Sequence, residues 1–310
     1  MDNLDLNGIL PAAILPMTAD FEPDFAAFER YVEWLIAEKA IALAVNMDTG
    51  EGPQLNVAER RQVVETAVRV SNGRCPVMAG VMGATTMGAV EMARVYQEAG
   101  ADGLVIFPNA GFRNDPLDPR IPHSYHKAIA DATGLPIILF QLAPVFGGVN
   151  YTREVLLRML EIPEVVGIKE ASFDPEYFAY TKETLDIAGR DITLLTGNDR
   201  FITESILLGA TGGLLGFAAI GCRLVADMLA SANAGDWKGV VEQRPRLHKF
   251  ATVIYKDPVL DYRARCKAAL VYAGVLDRSQ TFVRPPLLTV GDEEFEALCD
   301  AMLEAGMIAA

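Results

Sequence analysis

Short apolar runs and amphipathic stretches take turns along most of this 310-residue chain, and that alternation restricts the fold more than any other feature. The apolar runs lie at 9–15, 41–47, 76–81, 103–107, 136–140, 165–169, 192–196 and 213–217. Between them, 24–38, 57–71, 88–99, 122–132, 152–160, 175–188 and 200–208 carry apolar residues three and four apart. Phe28, Tyr31, Val32 and Leu35 form one such face. Asn56 followed by Glu59 reads as a capping box, and Gly100 and Gly134 stand where helices stop. Near-continuous apolar strands, each followed by a helix, predict a parallel sheet covered on both faces. Eight units in roughly 220 residues suit a closed (β/α)8 barrel. A doubly wound open sheet competes, but Leu10-Pro11-Ala12-Ala13 stands where that fold places G-x-G-x-x-G. The prediction is an α/β TIM barrel over 1–222 and a C-terminal helical extension, 223–310, packed on it. In the extension, 224–232, 237–254, 259–273 and 293–305 read as helices, with no Pro-, Gly- or Ser-rich linker before them.

Composition removes several classes of partner. A net charge of −14 opposes binding to nucleic acid or to an anionic membrane surface. Cys75, Cys222, Cys266 and Cys299 show no CxxC spacing, so free thiols in a reducing compartment are expected, with neither a zinc knuckle nor a disulfide frame. The start, Met1-Asp2-Asn3-Leu4-Asp5, lacks the basic and apolar parts of a signal peptide. The uncharged stretch 205–222 holds five glycines and no basic or aromatic flanks suited to a membrane interface, so it reads as a helix end, a buried strand and a loop. A cytoplasmic protein is expected.

Lys169 closes the apolar run Val165-Val166-Gly167-Ile168. Desolvation beside β-branched side chains lowers a lysine's pKa, and a neutral amine attacks a ketone or aldehyde to give a Schiff base. A surface lysine paired with Glu170 is the plainer alternative. Barrel chemistry sits at the carboxyl ends of the strands, which is where Lys169 falls. After the second strand, Asp48-Thr49-Gly50-Glu51 offers the Thr49 hydroxyl and N–H, with Gly50 allowing close approach of a substrate carboxylate; a bare βα turn is the alternative. Phe140 ends the fifth strand, Thr196-Gly197-Asn198-Asp199 the seventh, and Leu215 lies in the eighth, so Phe140, Gly197, Asn198 and Leu215 are expected against the substrate. His123 and His126, three apart early in the fourth helix, read as solvated side chains, and no metal site is expected. Neither a Walker loop nor a Gly-x-Ser-x-Gly elbow occurs.

Taken with Gly8 and Pro16, Gly100-Ala101-Asp102-Gly103, Lys267-Ala268-Ala269-Leu270 and Val283-Arg284-Pro285-Pro286-Leu287, these motifs resemble the dihydrodipicolinate synthase / N-acetylneuraminate lyase family of class I aldolases over essentially the whole chain. The resemblance implies a TIM barrel with a C-terminal three-helix extension, assembled as a homotetramer or dimer. It also implies a covalent imine between Lys169 and pyruvate or another 2-keto acid, with an aldehyde as possible second reactant and no metal or organic cofactor. The imine serves as an electron sink for aldol, retro-aldol or dehydration chemistry.

Departures from the family pattern bear on the substrate. Asp48 replaces a hydroxyl residue, and Phe140 replaces a tyrosine whose phenol shuttles protons at the imine. Pro108-Asn109-Ala110-Gly111 lacks the tyrosine of the fourth-strand loop, and Val145-Phe146 meets the arginine that synthase members use for a substrate carboxylate. Dihydrodipicolinate synthase activity itself is therefore not expected, nor is neuraminate cleavage, and Asp48 is the candidate substitute in proton transfer. The main expectation is a metal-independent carbon–carbon or carbon–oxygen lyase acting on pyruvate or another 2-keto acid, sugar-derived acids included. A non-catalytic binder of keto or sugar acids that has lost its proton relay is the alternative. A barrel enzyme using Lys169 as base or phosphate ligand is third.

Overall fold

The computed structural model describes residues 4–304 and 306; Met1 to Asn3 and Ala305, the expected end of the last helix, lie outside the described residues. Eight parallel strands run in the hydrogen-bonded order β1 (Ile9–Pro11), β8 (Gly212–Leu215), β7 (Thr193–Thr196), β6 (Val165–Ala171), β5 (Ile137–Leu142), β4 (Gly103–Ile106), β3 (Val77–Val81) and β2 (Leu43–Val45). A parallel bridge between Ala12 and Ala44, with the Ala13 N–H donating to Ala44 O at 2.9 Å, closes β1 on β2. The sheet is a barrel. Helices follow the strands in turn: α1 (Phe25–Ala37), α2 (Val57–Ser71), α3 (Thr86–Glu98), α4 (Arg120–Thr133), α5 (Arg153–Met159), α6 (Pro175–Ala188), α7 (Ile202–Leu207) and α8 (Ala218–Asn233). Both halves of the Asn56–Glu59 capping box form, and Gly134 ends α4 in the left-handed region at φ 62°.

Alternation along each strand sorts the side chains into two layers. Leu10, Ala44, Met78, Val105, Ile138, Phe140, Leu195 and Leu214 fill the barrel interior. Ile9, Leu43, Val77, Leu104, Leu139, Ile168 and Leu215 face the surrounding helices. One layer makes the floor of the mouth, and the other clamps the helices that hold its walls.

Three differences from the sequence expectation have local causes. First, β1 stops at Pro11 because the chain runs on toward the extension, where Met17 N–H donates to Gln280 O at 3.0 Å. Second, β5 and β6 continue past Phe140 and Lys169, pairing Gln141 with Glu170 and Leu142 with Ala171. Lys169 therefore lies two residues inside its strand instead of ending it, which sets the amine deeper in the barrel. Third, α8 runs through the 222/223 boundary, with non-helical backbone only at Gly221. It completes the eighth βα unit, so the extension begins later and consists of α9 (Trp237–Ile254), α10 (Tyr262–Tyr272) and α11 (Asp292–Glu304).

Polar contacts bind the extension to the barrel. Lys267 on α10 and Glu51 after β2 form an ion pair at 2.6 Å with both side chains fully buried; Lys267 also donates to Phe282 O, and Glu51 accepts from Arg284 N–H. Arg284 grips Glu59 on α2 at 2.5 Å, and Gln280 reaches Asp24 at 2.9 Å. These contacts lay the end of α9 and the start of α10 against the mouth of the barrel.

Candidate active site

A cavity of about 370 Å³ opens at the carboxyl ends of the strands. That volume suits a small organic acid or a modest adduct of one. Lys169 rises into it from β6, only 9% exposed. No hydrogen bond or ion pair reaches its Nζ among the described residues; its neighbour is the Phe140 ring, with the centroid 4.2 Å away. Burial pulls the amine down to about 8, while the charges of Asp199 and Asp48 act in the opposite direction. An amine with that pKa is uncharged in roughly one molecule in ten at pH 7 and in about half at pH 8.

Pairing between Lys169 and Glu170 is excluded by the pleat. Glu170 points to the helix side, where it accepts from Gln141 Nε2 at 3.0 Å, Asn198 Nδ2 at 2.7 Å and Ser172 N–H at 3.1 Å. Burial raises its pKa, and those three donors moderate the rise. Asn198 also accepts from Phe173 N–H at 2.8 Å, so its amide fastens β6 to β7 and is absent from the cavity wall. Gly197 does line the wall. A Cβ there would come 2.8 Å from Lys169 Cε and 2.9 Å from Ala171 Cβ, so the missing side chain is the lane the lysine occupies.

Of the other expected site residues, Asp48, Thr49 and Phe140 line the cavity and Gly50 and Leu215 do not. Gly50 lets the backbone pass Ala13, since a Cβ would sit 2.5 Å from Ala13 O, and its N–H donates to Met47 O. Leu215 packs outward in the helix-facing layer, leaving Gly216 at the wall. Asp48 is 35% exposed at the rim; its Oδ1 lies 3.6 Å from Nη2 of Arg263, whose Nε donates to Asp48 O at 2.6 Å. This buried guanidinium balances the carboxylate, so Asp48 adds little net negative field against an incoming acid.

Sequence reasoning passed over the contribution of the extension. Tyr255 at the end of α9, and Tyr262 and Arg263 at the start of α10, all line the cavity. The two rings stack at 5.1 Å, and the Tyr262 hydroxyl meets Thr49 Oγ1 at 3.3 Å. Asp199, in sequence merely the end of a strand-to-helix turn, is buried beside the lysine, with Oδ1 accepting from Phe217 N–H at 2.8 Å. Burial pushes its carboxyl up to about 6, against the Phe217 N–H and the Lys169 charge. An acidic residue two positions past the Gly197 gap was the available clue; nothing local marked Tyr255 or Tyr262. The far wall is apolar, with Phe107, Leu142, Val145, Phe146 and Phe173 all in it.

His126 corrects the expectation of a solvated histidine. It is fully buried against Phe112 and Tyr125, its Nδ1 is 2.7 Å from Pro122 O, and burial lowers it to about 4. The helix face carrying it is packed toward the core through an i−4 bond that the two-histidine spacing did not reveal. Among the described residues, no group of three or more His, Cys, Asp or Glu could hold a metal ion, and no helix is long and apolar enough to cross a membrane.

A family model, the dihydrodipicolinate synthetase family, matches residues 5–305. The 4-hydroxy-tetrahydrodipicolinate synthase of Rhodopseudomonas palustris (strain BisA53) is 30% identical over 286 residues, 92% of each chain. That of Rhizobium meliloti is 31% identical over 304 residues, 97% of this chain and 99% of its own. Among solved structures, the Acinetobacter baumannii dihydrodipicolinate synthase complexed with pyruvate superimposes with a TM-score of 0.83 at 26% identity, covering 98% of this chain and 99% of that one. YagE, a prophage protein of the same family from E. coli K12 in complex with pyruvate, gives 0.88 at 22% identity over 96% and 98%.

Proposed function

Because this chain belongs to the dihydrodipicolinate synthetase family, we propose that it is a class I lyase in which Lys169 condenses with pyruvate or another 2-keto acid. The observation that carries this reading is the amine itself: buried, unpaired, shifted toward its neutral form, and aimed into a 370 Å³ cavity. Attack on the keto carbon and loss of water give a protonated imine, which draws electrons from the neighbouring carbon. That carbon then forms or breaks a C–C bond to an aldehyde, or expels water. Thr49 and Arg263 line that cavity and are the donors this reading offers to the keto acid's carboxylate, and the reading calls for no metal or organic cofactor.

The curated relatives carry the name 4-hydroxy-tetrahydrodipicolinate synthase, which makes that reaction the first to assay. Against it stand Phe140 in place of a phenol and the apolar residues Leu142, at the end of β5, and Val145 and Phe146 after it, none of which offers a charge to a second substrate. We therefore assign this chain a different second reactant or leaving group, with sugar-derived acids the first class to try, and expect the synthase assay to be weak. Homo-oligomeric assembly, as a dimer or tetramer, belongs to the same proposal and is read by light scattering.

The test is to incubate the protein with pyruvate and borohydride and to weigh the peptide that contains Lys169. A reduced adduct on that lysine, absent from Lys169→Ala, is the expected result; an unmodified peptide across a panel of 2-keto acids sinks the reading. Phe140, which cannot shuttle a proton, favours one second reading, a non-catalytic binder of such acids. It would show trapping without turnover of any partner.

A further inference from the structure

An imine at Lys169 is productive only if a proton leaves the carbon beside it, and the ring lying against the amine, Phe140, has no proton to exchange. The remaining ionisable or proton-bearing groups of the wall are Asp48, Thr49, Asp199, Arg200, Tyr255, Tyr262 and Arg263. Arginine stays charged throughout the working pH range. Asp48 stands at the rim beside Arg263, and Tyr262 shares its hydroxyl with Thr49. Asp199 and Tyr255 are left, and they lie together. Asp199 is held by Phe217 N–H at 2.8 Å. The Tyr255 hydroxyl is fully buried against Gly216, and the acceptor it faces is the Asp199 carboxylate. A buried O–H is costly to leave without an acceptor, so the phenol is tied to that carboxylate.

Resting on the imine reading of Lys169, we propose that Asp199 is the acid–base residue of the reaction and that Tyr255, supplied by the extension, is its positioning residue. In the step, the C–H bond next to the imine carbon breaks and its proton passes to the Asp199 carboxylate. The bonding pair becomes the new C=C bond, and the C=N⁺ π pair settles on Lys169 nitrogen, giving a neutral enamine. The reverse step returns the proton to carbon, so no oxidant or second reactant is consumed.

The electrostatics agree with this assignment. Burial brings Asp199 up to about 6, within reach of both protonation states near neutrality. The groups that face it are Lys169 from β6, Tyr255 from the end of α9 and Cys266 from α10. Burial first, and then the Asp199 charge, pushes the Tyr255 phenol well above its ordinary value, so it stays protonated and presents its O–H to the carboxylate.

Pyruvate alone tests this, with two readouts that do not need the physiological partner. Borohydride trapping reports the imine; exchange of the pyruvate methyl hydrogens in D2O, followed by NMR, reports proton transfer. Asp199→Asn keeps an acceptor for Phe217 N–H and is expected to trap normally while losing exchange by about 10²–10⁴-fold. Wild-type exchange is expected to rise as pH passes through about 6. In Tyr255→Phe that limb moves to higher pH, since an O–H facing the carboxylate favours its charged form. Trapping with undiminished exchange in Asp199→Asn overturns this proposal alone, as does exchange lost in Asp48→Asn and kept in Asp199→Asn. No trapping in the wild type removes the imine and this proposal with it.

Discussion

Two buried lysines in one chain show what makes a side chain reactive. Lys267 and Lys169 are both taken from water, and burial lowers the pKa of each. Lys267 has a carboxylate at 2.6 Å and a carbonyl to receive its protons, whereas Lys169 has a phenyl ring and an open cavity. Imine formation needs the free amine, whose share grows as pH rises through the folded pKa. The rate of pyruvate trapping is accordingly expected to climb through about pH 8 and then level off. A flat profile from pH 6 to 9 would show that the amine is not limiting. Gly197 supports the same side chain by being empty. Gly197→Ala places a methyl 2.8 Å from Lys169 Cε and 2.9 Å from Ala171 Cβ, so the amine must swing aside. Trapping is expected to slow by about 10–100-fold with the protein still folded; an unchanged rate would show that the lysine finds its position by another route. Lys169 was readable in the chain because apolar neighbours announce desolvation. Asn198 shows the limit: a polar residue at a strand end looked ready for a ligand, but its amide is already spent on Glu170 and Phe173.

Periodicity placed the strands and most helices within a few residues, and caps confirmed several ends. The misjudged ends were those settled by a neighbour. β6 gains two residues because β5 is there to pair with it through Leu142 and Ala171, and β1 loses its last residues to a contact with Gln280. Likewise α8 continued past Cys222 because the eighth barrel unit needs a helix to cover it. Joining of elements also governs stability. Lys267→Met leaves Glu51 buried with only Arg284 N–H to accept from, and is expected to cost about 3–5 kcal/mol, seen as a lower urea midpoint. Restoring neutrality with Glu51→Gln in the same chain should recover part of that loss. A loss under about 1 kcal/mol for the single change would mean that the extension is held mainly by its apolar contacts.

Across the molecule, the barrel supplies the nucleophile and the extension supplies much of the mouth that surrounds it. Local pattern reached the barrel, the lysine and the cavity residues Asp48 and Thr49 because hydrophobic period, strand-end position and desolvation are properties of neighbouring residues. It missed Asp199 as a cavity group, Tyr255, Tyr262 and Arg263, which acquire their surroundings only when distant segments pack together. Charge compensation followed the same rule: Asp48 stands where the family pattern has an uncharged hydroxyl, and the guanidinium beside it, Arg263, comes from α10. Chain order thus carried the architecture and the reactive amine, while three-dimensional packing chose the residues around that amine. Burial, pairing and pKa depend on what lies within a few ångströms in space, and most of those neighbours are far away along the chain.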